Sequence, residues 1–175
     1  MRRFVSAIDA MNAVLTLVVG LLLAVVAAAV FYQVLVRFVL TAAGVNISAP
    51  WTEELARYTL IWMVFLGAAV GVRHARMIAL EFGVRRLPAT VGVPLRYGVM
   101  LLSMAFFGLL LWVGLDFLAL GRSETSPVLG ITKDKVYWAM PVGMGLMILN
   151  SLALIAETLL EGRDIRIAAD FAPEE

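Results

Sequence analysis

Four strongly apolar stretches of this 175-residue chain contain no Asp, Glu, Lys, Arg or His: Ala10–Val36, Tyr58–Val72, Tyr97–Leu115 and Val136–Ala156. No other property restricts the fold as much. An α-helix rises about 1.5 Å per residue, so about 20 residues cross a hydrocarbon core about 30 Å thick. The third and fourth windows meet that length, and the first exceeds it, so its helix must tilt or project beyond the bilayer. The second, at about 22 Å, falls short. With 62% hydrophobic and only 15% charged residues, the chain lacks the polar surface of a soluble domain of this size. The expectation is an all-α integral membrane protein forming a single domain over 1–175, with four transmembrane helices near 10–37, 51–73, 96–116 and 136–157.

The short second window gives meaning to the charges that precede it, in "PWTEELARYTLIWMVFLGAAVGVR", Pro50–Arg73. To cross, this helix must take in Leu55 and Arg57 and reach towards Glu54, which places these charges at the edge of the hydrocarbon. An Arg at the bilayer centre costs about 2.5–3.5 kcal/mol on insertion scales, but near a helix end it can snorkel to the interface. Pro50 suits a first helical turn, and Glu53 and Glu54 complement the positive end of the helix dipole. Glu53 and Arg57 are four apart, share a face and can pair. Trp51, Tyr58, Trp62 and Phe65 follow at helical spacing, either as packing and interface anchors or as a docking face for a larger membrane partner. Gly67 and Gly71 make a GxxxG step, and Gly20, Ala24 and Ala28 a similar one. Such faces let backbones approach closely, within the bundle or against another protein.

Basic residues orient the chain. Arg2, Arg3, Arg73, Arg76, Arg85, Arg86, Arg96, Arg163 and Arg166 fall on one side. On the other, Arg37, Arg57, Arg122, Lys133 and Lys135 are largely balanced by Glu53, Glu54, Asp116, Glu124 and Asp134. The positive-inside rule then places both termini in the cytoplasm. A cleaved signal peptide is the competing reading of "MRRF" with "AAA" at 27–29, but the apolar run to Val36 is too long for a typical signal core. Phe4, Ile8, Met11 and Leu15 share a helical face, which suggests an interfacial start before the first helix turns in. "MIALEFGVRRLP" reads as a short amphipathic segment on the headgroups, ended by Pro88. Lys133, Lys135, Tyr137 and Trp138 read as an interface belt before the fourth helix.

Chemistry is sparse. The chain has no cysteine and one histidine, so thiolate metal sites and disulfides are out. His74, beside Arg73 at a helix end, reads as solvated or lipid-facing rather than as a haem ligand. No nucleophile sits with a base and no cluster has metal-ligand spacing. The expectation is a non-enzymatic chain with no cofactor and no metal. The intramembrane polar residues noted are Thr16, Gln33, Ser103, Asn150 and Ser151. Asn150 reads as one interhelical hydrogen bond worth about 1 kcal/mol or less.

At the second helix the sequence resembles the small membrane subunit, of DctQ type, of tripartite ATP-independent periplasmic (TRAP) transporters. The resemblance rests on Trp51, Glu53, Glu54, Arg57, Phe65, Gly67, Ala68 and Ala69. Weaker matches lie at Arg37 and Phe38 and at Pro127, Gly130, Tyr137, Pro141 and Gly143. It covers roughly Val30 to Leu160. One departure is Met77-Ile78-Ala79-Leu80-Glu81, where the family often has His-Ile-x-x-Asp. The resemblance implies a scaffold in the bacterial inner membrane that braces a large, DctM-type membrane subunit. It also implies a periplasmic binding protein that delivers an organic acid for sodium-driven uptake. Arg37, Trp51, Glu53, Glu54, Arg57, Tyr58, Trp62, Gly67, Gly71 and Asn150 are then the candidates for partner contact or internal support. Two rival readings remain: a haem- or quinone-binding anchor of a respiratory complex, and a self-contained homodimeric transporter.

Overall fold

Each charge-free window lies inside one long, mostly helical segment that runs past the window at both ends. The computed structural model describes residues 2–45, 47–74, 87–162 and 164–165. Helix α1 spans Arg2–Val34 and passes directly into a π-helical segment at Leu35–Leu40. Helix α2 is Pro50–Arg73 and α3 is Ala89–Ser123. The single turn α4, Asp134–Tyr137, leads through Trp138 into α5, Ala139–Glu161. Four of these segments are long and apolar enough to cross a membrane: Arg3–Leu40, Pro50–Arg73, Ala89–Ser123 and Asp134–Leu160.

The local sequence accounts for the ends. Pro50 takes the first position of α2, where its missing N–H costs nothing, and Glu53 sits in the same turn. Gly162 closes α5 at φ 61°, the left-handed cap that glycine adopts freely. Pro94 lies inside α3 rather than ending it. So near the helix start it removes one bond, at little expense to the turns beyond.

The helices stand in a row. α2 packs between α1 and α5, α5 packs between α2 and α3, and α1 reaches over to touch α5. Among the described residues, α3 contacts α5 and α4 but neither α1 nor α2. The core is Ala69, Val72, Phe107, Met144 and Met147, with Phe65, Leu110, Leu111, Met140, Leu146 and Ile148 around it. Gly143 lets α5 close on α2, because a Cβ there would lie 2.7 Å from the Cβ of Phe65. The outer helices α1 and α3 keep most of their apolar side chains exposed, among them Leu17 and Leu21, and Leu102 and Trp112.

Several expectations change. The first helix does not begin as a separate interfacial segment: it is continuous from Arg2, and Ile8 is buried while Phe4 is exposed. The third helix runs well beyond 96–116 at both ends, so Asp116 lies within it rather than at its end. Arg73 and Arg96, counted with the basic connecting loop, are buried side chains of α2 and α3. The amphipathic segment expected at 77–86 falls outside the described residues.

Candidate functional site

Polar groups concentrate at the two ends of the row. At the end where α1 begins, three helices meet around Arg73, whose residue is only 1% exposed. Arg73 Nε donates to Asp9 Oδ1 at 2.7 Å, and Nη1 pairs with Glu157 Oε2 at 2.7 Å. Nη2 lies 2.7 Å from the same Asp9 oxygen, but it is not aligned for a hydrogen bond. A buried guanidinium is tolerated because opposed carboxylates replace its lost water. Helical spacing brings the same helices together once more. Asn12 is three residues beyond Asp9, Ala69 four before Arg73, and Asn150 seven before Glu157. Asn12 Nδ2 donates to Asn150 Oδ1 at 2.7 Å and to the Ile8 carbonyl at 2.8 Å. Asn150 Nδ2 donates to Asn12 Oδ1 at 3.0 Å and to the Ala69 carbonyl at 2.6 Å. Both amides are fully buried or nearly so. Asn150 therefore makes more than one interhelical bond, and the residue that completes it, Asn12, was missing from the polar inventory read off the sequence.

His74 is also corrected. It caps the end of α2, is 6% exposed, and sets Nδ1 3.0 Å from the Val70 carbonyl. It is neither solvated nor lipid-facing. Among the described residues, no three His, Asp or Glu side chains converge as metal ligands would.

At the opposite end, a tight loop between α3 and α4 is fastened to α2. Thr125 bridges Thr132, Ser126 N–H donates to the Ile131 carbonyl at 2.8 Å, and Lys133 N–H donates to the Glu124 carbonyl at 2.9 Å. Lys133 Nζ also reaches Glu124 Oε2 at 2.8 Å, a hydrogen bond that holds the ammonium above the ordinary lysine value. Glu54, buried on α2, accepts from the Ser126 hydroxyl and from the Leu129 N–H at 2.9 Å. This loop is what holds Glu54 within the chain. Glu53 and Arg57 do pair, at 2.7 Å, with both side chains more than half exposed.

The remaining candidates divide. Arg37 lies in the π-helical segment with its guanidinium 5.9 Å from the ring centre of Phe38. The aromatic stripe of α2 serves several neighbours rather than one face. Trp51 packs against Tyr32 of α1 at 5.8 Å, Trp62 Nε1 donates to the Lys135 carbonyl at 3.2 Å, and Phe65 fills the core. Tyr58 is half-buried. Gly67 faces Val19 of α1 at 3.7 Å, whereas Gly71 and Gly20 have no atom within 4 Å of a built Cβ. Within this chain, the small-residue steps do not draw two backbones together.

Such an arrangement, four long apolar helices with most interior polar groups joined to one another, is that of a multi-pass membrane protein. Residues 26–161 match the family described as tripartite ATP-independent periplasmic transporters, DctQ component, and the chain belongs to that family. It is a family of transport proteins, not enzymes, which displaces the haem- or quinone-anchor alternative. The chain is 33% identical over 113 residues to the C4-dicarboxylate TRAP transporter small permease protein DctQ of Rhodobacter capsulatus, covering 61% of this chain and 47% of that protein. It is 29% identical over 114 residues to the isethionate TRAP transporter permease protein DctMQ of Oleidesulfovibrio alaskensis, covering 62% of this chain and 18% of the relative. The sialic acid TRAP transporter small permease protein SiaQ of Vibrio cholerae is 23% identical over 134 residues, 77% of this chain and 75% of that one. The match thus spans less than half the length of the first two relatives. Asp9 and Asn12 lie outside the matched residues.

Proposed function

We propose that this chain is the scaffold subunit of a TRAP transporter, bracing a large membrane subunit that carries an organic acid inward on a sodium gradient after a periplasmic binding protein delivers it. One observation carries the reading: Arg73 and the Asn12–Asn150 pair, buried in the bundle, are tied to groups on neighbouring helices of this same chain. Arg73 is neutralised by Asp9 and Glu157, and Asn12 and Asn150 complete each other. A transport path needs polar groups free to exchange partners, and groups committed in this way are poorly suited to that. The exposed apolar surfaces of α1 and α3 suit contact with lipid and with a larger membrane protein. Relatives bearing the names of isethionate, C4-dicarboxylate and sialic acid transporters support an acidic substrate, and the name DctMQ supports a DctM-type partner.

On this reading the α1-start end faces the cytoplasm, with both termini there, in the bacterial inner membrane. Setting aside the buried Arg73 and Arg96 leaves that side with Arg2, Arg3, Arg76, Arg85, Arg86, Arg163 and Arg166, still an excess of positive charge. The opposite end, with Arg37, Trp51, Tyr58 and the exposed Glu53–Arg57 pair, lies at the periplasmic surface, within reach of both partners. Uptake of labelled substrate should require this chain together with the large subunit and the binding protein. Liposomes holding this chain alone should carry none. Flux from the lone chain, or full uptake without it, would overturn the scaffold role.

A further inference from the structure

Helices α1 and α2 run antiparallel, side by side, and α1 outlasts its neighbour. Asp9 meets Arg73 at one end, and a Cβ on Gly67 would lie 3.7 Å from Val19 midway. At the other end the Tyr32 and Trp51 rings lie 5.8 Å apart. From Asp9 to Tyr32 is 23 residues and from Arg73 back to Trp51 is 22, so the two helices keep pace. That length of α1 rises about 34 Å, enough to cross a hydrocarbon core of about 30 Å. Trp51 lies in the first turn of α2, and the exposed Glu53 and Arg57, just inward of it, need headgroups or water. Yet α1 continues for eight residues past Tyr32, through the π-helical segment to Leu40, which carries it about 10 Å further. Its outer end therefore stands clear of the hydrocarbon and of a headgroup layer about 5–7 Å deep.

The side chains placed there do not suit water. Phe38 and Val39 are 66% and 55% exposed, and past the turn Val45 and Ile47 are 45% and 49% exposed. Between Asp9 and Glu53 the single charge is Arg37, exposed, with its guanidinium over the Phe38 ring. The turn itself is closed by its own backbone. Gly44, at φ 82°, reverses the chain; its N–H donates to the Thr41 carbonyl at 3.1 Å, and the Val45 N–H to the Leu40 carbonyl at 2.9 Å. The Thr41 hydroxyl donates to the Val36 carbonyl at 3.1 Å. A tip ordered in this way presents side chains in a fixed arrangement, which lowers the cost of binding. An exposed apolar surface on the aqueous side marks a protein contact.

Its position selects the partner. Lipid chains end about two helical turns below it, and a membrane helix of a neighbouring subunit would meet the flank of α1 rather than its tip. A second copy paired two-fold through the tip would set Arg37 against Arg37. A soluble protein arriving from the aqueous phase can cover the tip, and Arg37 favours one with a carboxylate at the contact.

We propose that the outer end of α1, Arg37–Val39 with Val45 and Ile47, is a docking surface for the periplasmic binding protein, which presents there an apolar patch bearing an Asp or Glu. The proposal rests on the scaffold reading, which puts that protein on this side of the membrane.

The chain has no cysteine, so single cysteines report without background. Phe38→Cys, Ile47→Cys and, as the comparison, Leu21→Cys are each assembled with the large subunit and exposed in spheroplasts freed of binding protein. A membrane-impermeant maleimide should label the first two and not the third. Adding the purified binding protein should slow labelling of those two by about fivefold or more, because contact with a partner excludes water. With the complex in proteoliposomes, Arg37→Glu should weaken capture of fluorescent binding protein by about tenfold. Exchange of one Asp or Glu for Lys on the binding protein should restore it, and recovery of the large subunit should match the wild type throughout. Four results would overturn the proposal: no labelling at the tip, labelling already blocked by the large subunit, Phe38→Cys chains joined to each other as disulfide dimers, or labelling indifferent to the binding protein. Should the wild-type chain fail to retain the large subunit at all, the scaffold reading itself falls and takes this docking surface with it.

Discussion

The two ends of the bundle use polar residues for different purposes. At the α1-start end, Arg73, Asp9 and Glu157 bind three helices to one another, and the Asn12–Asn150 pair repeats the tie deeper in. At the other end, Glu54 binds a loop to one helix, while Glu53 and Arg57 bind only each other in the open. The first end is therefore a clamp on helix packing, and the second a brace for a surface. Charge burial separates them: a guanidinium 1% exposed depends on its partners, whereas an exposed pair retains its water and contributes little.

The sharpest way to break this contrast is Arg73→Met. Two carboxylates would then face each other with no cation, and loss of one side of a buried pair costs about 3–5 kcal/mol. The lower end is expected, since the Asp9 and Glu157 side chains are 34% and 23% exposed and can take up some water. Thermal unfolding in detergent should show a large drop, and replacing all three residues by apolar ones should recover most of it. An unchanged unfolding midpoint for the single variant would mean that the clamp is ornamental. Glu54→Ala should behave differently. The Leu129 amide and its neighbours should exchange on the order of tenfold faster, while amides in the core of α5 stay as they were. Global loss of protection would show that Glu54 belongs to the packing after all.

Much of the architecture was legible in the charge-free windows, because in a bilayer the length of an apolar run and the need to pair every backbone group dictate helices. The Glu53–Arg57 pair was legible too, from spacing along one helix. What stayed hidden depends on which helices lie side by side. Arg73 reads as a loop charge until α1 and α5 bring Asp9 and Glu157 to it, and Asn12 gains meaning only opposite Asn150. Glu54, at the mouth of a helix, looked like a dipole partner or an interface group. The loop that claims it is about seventy residues away, and a single sequence does not reveal that separation. Asp116 ends a charge-free window but not its helix, which runs on through Phe117–Leu120 to Arg122 and Ser123.

The smallest effect on the isolated chain is expected from Arg57→Ala. An exposed pair four residues apart on a helix contributes about 0.3–0.5 kcal/mol, so unfolding of the purified subunit should scarcely move. That makes the variant a clean probe of the assembled transporter. If the Glu53–Arg57 end of α2 is held ready for a partner, Arg57→Ala should reduce co-purification of the large subunit or substrate uptake although the subunit itself is as stable as before. Arg73→Met should reverse the order, with stability failing first and assembly only as a consequence. If Arg57→Ala leaves both assembly and uptake untouched, the exposed pair is ordinary interface chemistry.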